Sequence, residues 1–300
     1  MAKDYIGNQE MNPLELVNLM PLMERTEGRL ETIIGLIDGP VLTNCPDLVG
    51  EHIHAIPGSE KSECNQANSI ACQHGTFAAG ILCAHRHSIA PAICPGCTLL
   101  VRPIFTEASS ANGQIPSARP EELATAILEC IEAGACILNL SLALVYPSGV
   151  GESVLKEVLD YAARHNVLVV AAAGNQGMFG SSVITRHSWI IPVVACDMAG
   201  HPLTQSNLGC SIGRHGLSAP GDAITSLGAD GKPVTLGGTS AAAPFVTGAI
   251  ALLWSEFPSA TAATVHFAIT HSSGTRRTTI VPPFLDAWGA YQIMNSHLQR

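Results

Sequence analysis

Residues 151–174 read GESVLKEVLDYAARHNVLVVAAAG. The first part, GESVLKEVLDYAARHN (151–166), carries apolar residues at i, i+3, i+4 spacing, an acid in its first turn, and Arg164 and His165 in its last turn, where the helix dipole favours cations. The second part, VLVVAAAG (167–174), is an unbroken apolar run rich in β-branched residues, as expected of a strand buried on both faces. Similar segments extend both ways: TIIGLID (32–38), LLVRPIF (99–105), CILNLSL (136–142) and IIPVVACD (190–197) read as strands, and PEELATAILECIEAG (120–134) as a second crossover helix. The alternation predicts an α/β fold, a three-layer, doubly wound, mostly parallel sheet with helices on both faces. Functional groups in such a sheet gather beyond the carboxyl ends of its strands.

The chain has 300 residues, with 15 Lys+Arg against 24 Asp+Glu and a formal charge of −9. No basic stripe is present, which argues against nucleic acid and against a membrane surface as partners. Charged residues are only 13% and hydrophobic ones 47%, so a large core can be buried and general disorder is excluded. The longest apolar stretch, Ala241 to Trp254, is interrupted by Pro244, Thr247 and Gly248 and falls short of the roughly 18 to 20 residues of a membrane span, so it reads as a buried helix. MAKDYIGNQEMN at the start lacks the apolar core of a secretory signal, which points to a cytoplasmic protein, although a secreted chain trimmed of its leader would look the same. Residues 1–30 read as a lead-in, with Asn12 capping a short helix, Pro13 at its first position, Glu15 in its first turn and Pro21 ending it. Residues 31–300 read as one domain.

Ten cysteines lie at 45, 64, 72, 83, 94, 97, 130, 136, 196 and 210. Buried thiols are the leading reading in a reducing compartment, with one or two disulfides in the N-terminal half as the alternative. Zinc held by Cys94 and Cys97 with His85 and His87 is not adopted, because a second CxxC at finger-like spacing is missing.

Three segments carry chemistry. The strand 32–38 ends in Asp38, and the Gly39-Pro40 turn leaves the carboxylate at its tip. His74 opens the apolar segment HGTFAAGILCA (74–84), whose small residues suit close packing. In GGTSAAAP (237–244) a glycine turn delivers Ser240 to the start of a long buried helix, beside unpaired N–H groups and the positive end of the dipole. Each alone is satisfied by a structural role as turn, core or cap. Together they stand in the chain order Asp, His, Ser of one known triad architecture.

IIGLIDGPV (33–41), HGTFAAGIL (74–82), VVAAAGNQG (169–177) and GGTSAAAPFVTGAIALL (237–253) resemble the Asp, His, oxyanion-Asn and Ser blocks of the subtilases. The resemblance runs over about residues 31–270 and includes QSNLG (205–209) and LSAPG (217–221). It implies a subtilisin-like fold and a serine endopeptidase. Ser240 is then the nucleophile, His74 the general base and acid, Asp38 the residue that orients the imidazole, and Asn175 the oxyanion donor. It also implies an extended peptide substrate, held by Ser141, Leu142, Ala143, Ala173, Gly174 and Thr239. No cofactor and no metal are expected. The rival reading is a catalytically silent subtilase-fold scaffold that binds peptides.

Several positions depart from the family pattern. Gly39-Pro40 stands where Ser or Thr and then Gly are usual, Phe77 replaces a second His, and NLSLAL (139–144) lacks the Gly-Gly that commonly follows NLS, so Leu144 either narrows the cleft, alters the grip on the P4 side or packs as core. The stretch between His74 and the next strand is short and Cys-rich and lacks the usual calcium loop, so a calcium requirement is not supported. Residues 1–30 are too few for the inhibitory prodomain of secreted relatives, so either the domain folds without one or the given sequence lacks it. With the DGPV form of the Asp block and no secretory signal, the chain looks most like subtilases that act inside bacteria on ribosomally made precursor peptides, with intracellular protein turnover and host defence as the alternatives.

Overall fold

The computed structural model describes residues 12–56, 64, 66, 69–105, 118–142, 151–274 and 280–298. Seven strands, β1 (Ile33–Asp38), β2 (Ile53–Ala55), β3 (Thr98–Pro103), β4 (Ile137–Leu140), β5 (Leu168–Ala172), β6 (Ile190–Cys196) and β7 (Leu217–Pro220), form one sheet in the order β2-β3-β1-β4-β5-β6-β7. Every neighbouring pair is parallel. The winding reverses at β1, so the carboxyl end of that strand opens onto the crevice where such sheets place their chemistry.

Side-chain alternation divides the core into two layers. Ile34, Leu36, Leu99, Val101, Val170 and Val193 join the cluster built with helices α3 (Ile70–Cys83), α8 (Thr239–Glu256) and α9 (Ala262–His271). Leu138, Leu140, Val169 and Ala171 turn to the other face, against α4 (Pro120–Glu132) and α5 (Glu152–Arg164). Gly35 leaves room on that second face for the side chains of Leu138 and Cys130, which would lie 2.7 and 3.0 Å from an added β-carbon. In α8 the fully buried Phe245, Ile250, Leu252 and Leu253 each contribute about 1.5–3 kcal/mol of burial, and Pro258 follows its end.

The five expected strands are all present. The sequence reading missed β2 and β7, which have three and four residues and are too short to show a period. It also missed the antiparallel hairpin of β8 (Ile224–Leu227) and β9 (Pro233–Leu236). The lead-in differs as well. Asn12 caps α1 (Pro13–Leu16) by accepting from Leu14 N, but the helix ends where Asn18 turns left-handed at φ 52°. Pro21 does not end it; it sits in the first turn of α2 (Met20–Met23), where a missing N–H costs nothing. Leu14, Val17, Leu19 and Leu22 are buried in the main core. The remaining α-helices among the described residues are α6 (Val183–Arg186), α7 (Cys210–His215) and α10 (Ala287–Leu298). No helix among the described residues is long and apolar enough to cross a membrane.

Candidate active site

Asp38 stands at the carboxyl end of β1 and is fully buried. The next turn lies hard against α3. A β-carbon on Gly39 would sit 2.0 Å from the carbonyl oxygen of Ala71, and one on Gly75 would sit 2.4 and 2.5 Å from the carbonyl oxygens of Gly39 and Pro40. This backbone-to-backbone approach explains Gly39 in the Asp block and brings α3 close enough for His74 Nδ1 to reach Asp38 Oδ1 at 2.6 Å. Contrary to the sequence reading, His74 does not open its helix. Ser69 is the N-cap, and Ile70 through Gln73 form a preceding turn, so the imidazole projects from a helix already under way.

Ser240 is the second residue of α8, with Gly238 as N-cap at φ 113°. Its hydroxyl lies 2.9 Å from His74 Nε2. Asp38 is a carboxylate acceptor, so the proton of a neutral His74 sits on Nδ1, leaving Nε2 to accept from the Ser240 hydroxyl. Burial pushes the His74 pKa down, but the charge of Asp38 and its hydrogen bond push further up, and the net shift is upward from the ordinary 6.5. Deep in the protein, the Asp38–His74 pair can take the serine proton and hold it as an imidazolium.

Asn175 follows β5 through Gly174, which adopts φ 107°. Its Oδ1 accepts from Thr239 N at 2.9 Å and from Thr239 Oγ1 at 3.1 Å. Two donors on the oxygen fix the carboxamide, so Nδ2 is turned away from them beside the start of α8. Asn175 Nδ2 and the Ser240 N–H have no acceptor among the described residues and are the donors available to a developing oxyanion. Thr239 Oγ1 also accepts from Gly174 N, and Gly174 O accepts from Asn207 N. Asn207 braces the loop further, taking Gln176 N and Met178 N on Oδ1 and donating from Nδ2 to Ala173 O. The sequence reading missed this support, because one Asn in a polar loop carries no periodic signal.

Six residues were expected to hold substrate. Gly174 and Thr239 are engaged in clamping Asn175. Ala173 packs with Val194 and Ile212, and the Leu142 side chain lies in the core over α4 and α5. Ser141 is buried and donates to the carbonyl oxygen of Ser240. Ala143 lies outside the described residues, as does Leu144. Cys64 and Cys72 form a disulfide next to the start of α3, and the other eight cysteines are free. Cys94 and Cys97 are both buried, and the Cys97 thiol lies 3.9 Å from Ser255 Oγ.

A parallel α/β sheet with an Asp, a His and a Ser in hydrogen-bonded series at its carboxyl edge defines the class of hydrolases that act through an activated serine. Residues 30–289 match the subtilase family, and the chain belongs to it. It is 33% identical over 189 residues to a thermostable alkaline protease of Halalkalibacterium halodurans, covering 63% of this chain and 48% of that one, so it spans about half the length of that relative. Among solved structures it resembles the protease domain of PatA, at 28% identity and TM-score 0.81, over 90% of this chain and 97% of the other. It also resembles the prenylagaramide maturation protease PagA, at 26% identity and TM-score 0.80, over 92% and 98%.

Proposed function

We propose that this chain is a serine endopeptidase whose triad is Asp38, His74 and Ser240. The observation that carries the reading is His74 standing between the other two, 2.6 Å from the carboxylate and 2.9 Å from the hydroxyl. Ser240 Oγ attacks the scissile carbonyl carbon while His74 Nε2 takes the hydroxyl proton. Asp38 holds the proton on Nδ1 and stabilises the imidazolium. Asn175 Nδ2 and the Ser240 N–H receive the oxyanion, helped by the positive end of α8. The tetrahedral intermediate collapses, the C–N bond breaks, and His74 returns its proton to the departing amine. Water then repeats the sequence on the acyl-enzyme, releasing the new carboxylate and restoring Ser240.

The substrate is an extended peptide segment of a ribosomally made precursor. Two observations support that class: the resemblance to PatA and to the maturation protease PagA over nine-tenths of the chain, and the DGPV form of the Asp block. Incubation with a fluorophosphonate probe tests the chemistry. Wild type is expected to form a covalent adduct on Ser240, and Ser240→Ala and His74→Ala are expected to form none or nearly none. A folded wild type that never labels is instead the silent scaffold.

A further inference from the structure

Helix α8 is apolar from Ala241 to Leu253 apart from Thr247, which is fully buried. Opposite it in β4, Asn139 is also fully buried. A hydroxyl and a carboxamide placed in an apolar core are costly unless paired, and here they are paired in series. Thr247 Oγ1 donates to Asn139 Oδ1 at 2.8 Å, Asn139 Nδ2 donates to Ser141 Oγ at 2.6 Å, and Ser141 Oγ donates to the carbonyl oxygen of Ser240 at 3.4 Å.

The direction of the series follows from its chemistry. Asn139 Oδ1 can only accept, so Thr247 must donate. That fixes which end of the carboxamide faces Ser141, and Ser141, already accepting from Nδ2, turns its own hydrogen to Ser240. The carbonyl at the end of the series is open for a reason written in the chain. In an α-helix its partner would be the N–H four residues on, and that residue is Pro244, which has none.

We propose that Thr247 and Asn139 are positioning residues for the nucleophile, acting through Ser141. By holding the Ser240 carbonyl they hold ψ at Ser240. With the Asn175–Thr239 clamp on the preceding peptide, they set the direction of the Cα–Cβ bond toward His74. The inference rests on the peptidase reading and extends it to residues that touch neither substrate nor the reacting atoms.

Thr247→Val keeps the shape and removes the donor, and Thr247→Ser keeps the donor. The readouts are the rate of fluorophosphonate labelling of Ser240, kcat and KM on one peptide, and the melting temperature. Thr247→Val is expected to slow labelling and lower kcat by about ten- to a hundredfold, the scale of a small misplacement of a reacting group. KM should hold, and Thr247→Ser should restore most of the wild-type rate. Labelling at the wild-type rate in Thr247→Val, or a Thr247→Ser as slow as the Val variant, overturns the proposal. Should Thr247→Val fail to fold, Ser141→Ala gives the second test, since it leaves the Thr247–Asn139 bond in place. Slow labelling in a folded Ser141→Ala supports the proposal and wild-type labelling rejects it. A wild type without any adduct would instead remove the peptidase reading, a different result from a reactive wild type matched by its variants.

Discussion

The α-carbon of Gly75 faces the carbonyl oxygen of Gly39 so closely that a methyl group on it would lie 2.4 Å from that oxygen, and 2.5 Å from the carbonyl of Pro40. Both obstacles are backbone, which cannot swing aside as a side chain can. Gly75→Ala must therefore push α3 away from the end of β1, and the Asp38–His74 hydrogen bond is the first contact to lengthen. The expected outcome is destabilisation of about 1–3 kcal/mol by overpacking, with activity lost beyond what the unfolded fraction explains. Thermal unfolding and activity on the same sample check it; a folded Gly75→Ala with full activity contradicts this account of the turn.

The raised pKa of His74 places the acid limb of activity. Burial opposes protonation, and the Asp38 charge and hydrogen bond favour it more strongly, so the base protonates at a pH above the ordinary 6.5. A protonated imidazole cannot accept the serine proton, so kcat/KM should fall as pH drops through that value, with a midpoint above about 6.5. For stability the sign is opposite. A pKa raised by folding adds stability below the unfolded value, and that contribution is lost as pH rises through the folded one. The fold is thus held most firmly by this pair where catalysis is shut off. A pH–rate profile flat from 8 to 5 would remove His74 from the mechanism. Asp38→Asn, which disturbs the tautomer, should lower kcat by roughly 10⁴-fold.

Asn175 is exposed, yet its oxygen is held by two donors from Thr239. Asn175→Ala should lower kcat by about 10²–10³-fold with little change in KM, because the lost hydrogen bond forms only as the oxyanion develops. Thr239→Val should show a smaller loss of the same kind, since the backbone N–H still restrains the carboxamide. Steady-state kinetics on one peptide decide it; a change confined to KM would make Asn175 a substrate-binding residue.

The thiols should differ sharply in reactivity. Burial pushes the Cys130 thiol up to about 12 and the Cys136 and Cys196 thiols up to about 11, whereas Cys210 is exposed at the start of α7. Brief alkylation of the native protein, followed by peptide mass spectrometry, should mark Cys210 and leave those three unmodified. Without reductant the same digest should yield Cys64 and Cys72 as one cross-linked peptide. Early modification of Cys130 would mean that the α4 side of the core opens more readily than its packing shows.

Much of this was legible along the chain. The crossover helix 151–166 and the strand that follows appear within a residue or two of their expected limits, because the 3.6-residue period and the buried apolar run are local signals. Asp38 and Ser240 stood out because each sits beside a glycine turn, His74 because it heads an apolar run of small residues, and Asn175 only through the likeness of its block to the subtilases. The environment of His74 was read less well. A helix start needs a cap, and Ser69 lay in a polar stretch with no period to mark it.

By itself, the sequence determined the layers of the fold and the chemical groups at its edge, since both are encoded in residues that are neighbours along the chain. Tertiary structure alone decided which atoms meet. His74 is separated in sequence from Asp38 by 36 residues and from Ser240 by 166, and Asn139 from Thr247 by 108. Periodicity says which face a residue turns inward and nothing of what waits there. Whether Thr247 was filler in an apolar helix or the first donor in a line leading to the Ser240 carbonyl depended on how α8 lies over β4, a relationship set by the packing of the whole core.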